Sequence, residues 1–107
     1  MAVFVEDECY LGTEKKYIIK IESAGFDMEE DEFEVIIKRG SNVLTFTKED
    51  LIQDRDEEEN WYVTFNTSDL GAGVASMTVI AHVPDNDFPD GIRDEVDKFN
   101  FLRIKSV

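Results

Sequence analysis

The chain has one cysteine (Cys9), one histidine (His82) and two prolines among 107 residues. A single cysteine cannot close an internal disulfide, so the fold does not depend on an oxidising compartment. A single histidine excludes a multi-histidine zinc centre. Alone in a strand, His82 reads as a structural or surface residue rather than a general base. Cys9 follows Glu6, Asp7 and Glu8, a negative setting that disfavours the thiolate, so no Cys–His nucleophilic pair is expected. Positive charge is scarce too: 11 Lys and Arg stand against 25 Asp and Glu, a net charge of −14. A pI near 4.2 argues against nucleic acid or an anionic membrane as partner, because both require a basic surface. Basic proteins or metal cations are compatible with it. No apolar run approaches the ~18 residues of a membrane span. The first residues lack the charged and apolar regions of a signal peptide.

What is present is a full set of core residues. Eight Phe, three Tyr and Trp61 lie in Val/Ile-rich runs, which sets the chain apart from a disordered acidic polymer. Residues 1–107 are expected to form one domain, long enough for one core without staples. Period-2 patterning dominates. It places strands at Tyr17–Glu22, Phe33–Arg39, Asn42–Thr47, Trp61–Asn66, Val74–Val83 and Phe99–Ser106, with Val3–Val5 as a short first strand. Gly40-Ser41 reads as a hairpin turn. Helix is confined to single turns, one capped at Thr47 with Asp50 three residues on, the other ending at Gly71. Six to seven short strands with little helix predict an antiparallel β-sandwich, broadly immunoglobulin-like, with a small barrel as the alternative.

The acids are not spread evenly. Residues 27–34, 54–59 and 85–97 hold 17 of the 25. If strands alternate up and down, the loops carrying these runs share one end of the sandwich. Lys15, Lys16, Lys38, Arg39, Arg103 and Lys105 gather at the other. A negative cap and a weakly positive base follow from this parity. Asp31, Glu32, Asp56, Glu58, Asp85, Asp87 and Asp90 are the candidate binding residues of the cap.

Crowded carboxylates raise one another's pKa, and Ca²⁺, which takes six to eight oxygens, would relieve the repulsion. No single run has calcium-loop spacing. Aligning Asp85 and Asp87 with the first and third positions of an EF-hand puts Pro89 at the fifth and Val96 at the twelfth, where Glu is required. A calcium site would have to be assembled between loops. Paired carboxylates suited to glycoside hydrolysis arise by chance among 25 acids, and no other catalytic feature accompanies them. Gly71-Ala72-Gly73 has no following helix and no lysine, so it is a tight turn rather than a phosphate cradle. Trp61 and Tyr62 point to opposite faces, one into the core. Pro84 and Pro89 stiffen the 82–96 segment, where Phe88 either plugs the end of the core or stands out as an anchor. The plug is the expected reading.

Two segments carry a resemblance: Thr-Phe-Asn-Thr-Ser-Asp-Leu-Gly-Ala-Gly (64–73) and His-Val-Pro-Asp-Asn-Asp-Phe-Pro-Asp-Gly-Ile-Arg-Asp-Glu-Val (82–96). Their order resembles that of small β-domains from phages and mobile elements of gut bacteria. Upstream, the alternating strand Phe33–Lys38, its turn and the second strand are similar to the N-terminal immunoglobulin-like domain of phage baseplate upper proteins. Baseplate proteins are longer, so the resemblance implies a stand-alone subunit of a phage-like or surface assembly, without catalytic residues. The expectation is therefore a non-enzymatic module with protein partners or self-association. A Ca²⁺-dependent binding domain is the alternative.

Overall fold

The computed structural model describes residues 7–57 and 60–107. Among these, strands β1 (Asp7–Tyr10), β2 (Glu14–Ile19), β3 (Phe33–Arg39), β4 (Asn42–Thr47), β5 (Ile52–Gln53), β6 (Trp61–Asn66), β7 (Gly73–Pro84) and β8 (Ile92–Lys105) build two sheets. The larger has the order β1-β8-β7-β3-β4 and the smaller β2-β6-β5. The all-β, two-sheet architecture expected from the alternation is present. The expected first strand at Val3–Val5 lies outside the described residues.

Core formation follows strand parity. Phe33, Val35 and Ile37 of β3 are buried while Glu34, Ile36 and Lys38 point away. Ile19, Val63 and Phe65 of the smaller sheet join them in the same apolar cluster. Burying each such side chain contributes roughly 1.5–3 kcal/mol relative to exposure. Aromatic edges lock the layers: Tyr17 meets Phe101 at 5.0 Å and Phe33 meets Trp61 at 6.3 Å. Trp61 thus supplies the core-facing ring. Tyr62 faces away, with Lys16 Nζ 4.3 Å from its ring centre.

The sheet is not wholly antiparallel, contrary to expectation. β1 runs parallel to β8, and its sequence, Asp-Glu-Cys-Tyr, carries no apolar alternation to reveal it. Its acidic side chains are held by ion pairs and hydrogen bonds. Lys15 Nζ lies 2.6 Å from Asp7 and Lys105 Nζ 2.9 Å from Glu8, while the Tyr17 hydroxyl donates to Asp7 at 2.7 Å. Lys15 is the main reason the Asp7 carboxyl sits below its ordinary range. Cys9, half-buried, packs against the core. Asp7 and Glu8 also offset part of the positive charge expected at that end.

Two strand boundaries differ from the sequence reading. β2 spans Glu14–Ile19 rather than Tyr17–Glu22. β8 begins at Ile92, not Phe99, because the long β7 pairs with it from Pro84 onward. Asp94, Glu95 and Asp97 therefore lie in a strand, not a loop. A bulge opposite Ala75/Ser76 leaves Phe101 as the extra residue, so Phe101 and Leu102 are both buried although adjacent. The simple alternation expected across 99–104 is broken there.

At one end of the sandwich, Arg39 reaches across to the smaller sheet's connection. Its Nε donates to the Leu70 carbonyl at 2.8 Å, and Asn42 Nδ2 donates to the same oxygen at 2.7 Å. The one-turn 3-10 helix Thr67–Asp69 leads into this point, matching the expected turn ended by Gly71. Gly71 and Gly73 have φ of +88° and +134°, and a Cβ on either would meet the Arg39 side chain, at 2.6 and 2.9 Å. The glycine pair is a turn, as expected, and also a seat for Arg39.

Candidate functional site

Strand registers bring the three acidic runs together. Phe33 pairs with Ala81, Glu34 with Thr47 and Ile92 with Pro84, so the start of β3, the end of β4 and the β7–β8 turn lie toward one end of the larger sheet's strands. In the smaller sheet Ile19 pairs with Trp61 and Ile52 with Tyr62. Within the larger sheet, His82 N–H donates to Glu32 O at 3.0 Å. The sheets meet at this end: Lys48, after β4, donates from Nζ to the carbonyls of Glu29 and Asp31 in the β2–β3 loop, and Asp27 and Glu29 line one cleft with Asp56 and Glu57. The loops carrying the three runs therefore lie toward one end of the two sheets.

Each run opens on the same device. Asp27, Asp54 and Asp85 accept a hydrogen bond from the backbone N–H two residues on, at 2.9, 2.9 and 3.0 Å from Glu29, Asp56 and Asp87. These are Asx turns, in which a short carboxylate replaces a missing backbone acceptor and fixes the chain reversal. The N–H of Asp56 is the main reason the Asp54 carboxyl lies below its ordinary range. In the first run Asp31 closes the loop back, accepting from Asp27 N–H at 2.8 Å and donating its own N–H to Asp27 O at 2.9 Å. In the second, buried Asn60 donates from Nδ2 to Glu57 at 2.7 Å.

The third run is held by Arg93. Its guanidinium bridges Asp85 and Glu95 and donates to the Ala24 carbonyl at 3.0 Å. Ser23 Oγ donates to Glu95 from the facing loop, and this bond is the first reason the Glu95 carboxyl is depressed. Arg93 thus holds the third run to the loop before β3, while Lys48 holds the first. Lys48 is positioned by the 3-10 turn Lys48–Asp50, where the Asp50 carboxylate accepts from Thr47 N–H at 2.9 Å, as its sequence pattern predicts.

The candidate residues separate into two groups. Asp31 and Asp85 hold backbone or Arg93 and are structural. Glu32, Asp56, Asp87 and Asp90 are exposed; Glu58 lies outside the described residues. The expectation that Phe88 plugs the core is wrong. Its ring is 43% exposed, because the β7–β8 turn closes on itself: Asp85 N–H donates to Gly91 O, Phe88 N–H to Asp85 O and Gly91 N–H to Phe88 O. That tight closure carries the ring beyond the end of the core.

Sequence reasoning passed over Arg93 and Lys48, whose roles depend on contacts distant in the chain. It also missed the Asx turns, although the Asp-x-acid spacing at 27–29, 54–56 and 85–87 is a local signal that could have found them. Among the described residues no group of three or more His, Cys, Asp or Glu is arranged to hold a metal ion. His82 sits on the outer face of β7, with Nδ1 2.7 Å from Asp94 and Nε2 3.8 Å from Glu34. No helix among the described residues is long and apolar enough to cross a membrane. No protein-family model, curated protein or solved structure matches the chain.

Proposed function

We propose that this protein is a non-enzymatic interaction module that joins a larger assembly by presenting its acidic end to a basic protein surface. The observation that carries this reading is Phe88. A large aromatic residue, partly exposed, sits at the tip of a closed turn in the sequence Asp87-Phe88-Pro89-Asp90. Aromatic residues of this kind anchor protein interfaces, and a rigid mount reduces the entropy lost on binding. The surrounding carboxylates steer a basic partner and repel nucleic acid.

Strand order supports an immunoglobulin-like form for the module. Lettering β2 to β8 as B, C, C′, D, E, F and G gives a G-F-C-C′ sheet facing a B-E-D sheet, as in variable-type sandwiches. The departures are the lack of a B–F disulfide and a tryptophan on E instead of C. The sequence resemblance alone points to a subunit of a phage-like or surface assembly; strand order speaks only to the form.

The test is titration calorimetry with a lysine-rich, leucine-bearing peptide at low and high salt. Asp87→Asn with Asp90→Asn should weaken binding about tenfold at low salt. Glu14→Gln with Asp69→Asn, equal in charge change but at the other end, should change it little. Equal losses in the two variants would reduce the attraction to net charge and overturn the reading.

A further inference from the structure

The two sheets leave one flank open. β2 pairs only with β6, and β1 covers β8 only from Leu102 to Lys105. The outer edge of β2, and the edge of the first half of β8 that faces away from β7, therefore lack a strand partner among the described residues. Between them runs a groove of about 410 Å³. Its floor is apolar, formed by Ile21, Met77, Val79 and Phe99. Phe99, opposite Met77, is 44% exposed. Val79 is only half-buried, whereas Met77 and Ala81 on the same face of β7 are buried. Acids border the groove: Glu22 on one side, Glu95 and Asp97 on the other, with Lys20 the opposing charge.

An unpaired edge offers a row of backbone donors and acceptors to another strand. We infer that this groove accepts an extended segment of a partner protein by strand addition to β2, with apolar residues alternating with Lys or Arg. The inference rests on the reading of a basic partner. Alternate side chains of an added strand point to one face, here the apolar floor. Long basic side chains lay their stems on apolar surface and carry their heads to carboxylates, here Glu22 and Asp97. β2 reaches the groove with Ile18 and Ile19, and residues 20–23 carry the chain on along its side.

Charge selects among occupants. A second copy of this chain, at −14, would bring further acids to an acidic rim, and like-charge contact is penalised. The groove also continues to the acidic end, because Lys20, Ile21 and Glu22 border a wider cleft there with Phe26, Met28 and Arg55. A partner seated on the acidic end is placed to lay a tail along β2.

Fluorescence anisotropy with two labelled octapeptides tests this on the full chain: Thr-Lys-Val-Lys-Val-Lys-Val-Thr, and the same composition with lysines and valines in blocks. The alternating peptide should bind about tenfold tighter than the block peptide. It should also slow amide exchange at residues 18–22. Asp97→Lys should weaken it about tenfold, and Asp87→Asn with Asp90→Asn much less. Equal binding of the two peptides would overturn the groove while leaving the basic-partner reading intact. Failure of both peptides, alongside failure of the lysine-rich peptide above, would overturn both. Binding that emerges only when residues 1–5 are removed would assign the groove to the chain's own N-terminal residues and overturn the partner assignment.

Discussion

Arg93 donates from its guanidinium to the Ala24 carbonyl at 3.0 Å, although 69 positions separate the two residues. The same side chain bridges Asp85 and Glu95, so one cation staples the β7–β8 turn to the loop before β3. Arg93→Ala should lower the melting temperature by several degrees. It should speed amide exchange first at residues 22–25 and 85–91, since segments held by few contacts open locally. Arg93→Lys keeps the charge but loses the planar fork and should fall between the two. Unchanged exchange in both segments would show that the staple does not order the acidic end.

Gly71 and Arg39 form a second long-range pair. At φ +88° a side chain is strained, and its Cβ would lie 2.6 Å from Arg39 Nη2. Gly71→Ala should therefore cost about 1–3 kcal/mol, more than the entropy gained by removing a glycine. Part of that cost is steric, so urea denaturation of Gly71→Ala in an Arg39→Ala background should show a smaller penalty. An identical penalty in both backgrounds would leave only backbone strain.

His82 makes stability depend on pH near neutrality. The hydrogen bond to Asp94, aided by Glu34, holds the imidazole above its ordinary value, against opposing desolvation. A group raised on folding contributes stability that is fully present below its unfolded pKa, near 6.5, and is lost as pH rises through the folded value. The urea midpoint should therefore fall between about pH 6 and 8, and His82→Gln should flatten that fall. A midpoint that rises across this window, or an equal slope in the variant, would contradict the assignment.

Calcium discriminates between two uses of the acids. Asp54 and Asp85 already engage both carboxylate oxygens, one with a backbone N–H and the other with Tyr62 or Arg93, so a cation would have to displace these partners. Millimolar Ca²⁺ should leave the melting temperature essentially unchanged. A rise of several degrees would follow from preferential binding to the folded state and would restore a cation-dependent role.

Much of this architecture was legible in the chain. Alternation located β3, β4, β6 and β7 because their faces differ sharply, as in Phe33, Val35 and Ile37 against Glu34 and Lys38. Strand parity then carried three acidic runs to one end. The misses share a cause. β1 is held by ion pairs, and the first half of β8 by pairing with β7 across an open flank, so neither has an apolar face to read. The bulge at Ala75/Ser76 inverted parity around Phe101, and no local residue announces it. Phe88 looked like core because it is aromatic, but the Asp85–Gly91 closure projects it outward. Arg93 and Lys48 were illegible because a cation's partners lie far along the chain.

The central claim is that the acidic end, with Phe88 at its tip, is the contact face. Amide chemical-shift mapping during titration with the lysine-rich, leucine-bearing peptide tests it most directly. The account predicts the largest shifts at residues 54–57 and 85–91, reduced by Phe88→Ala even where the charges are unchanged. Shifts spread over every exposed acid, including Glu14 and Asp69, and indifferent to Phe88→Ala would contradict it.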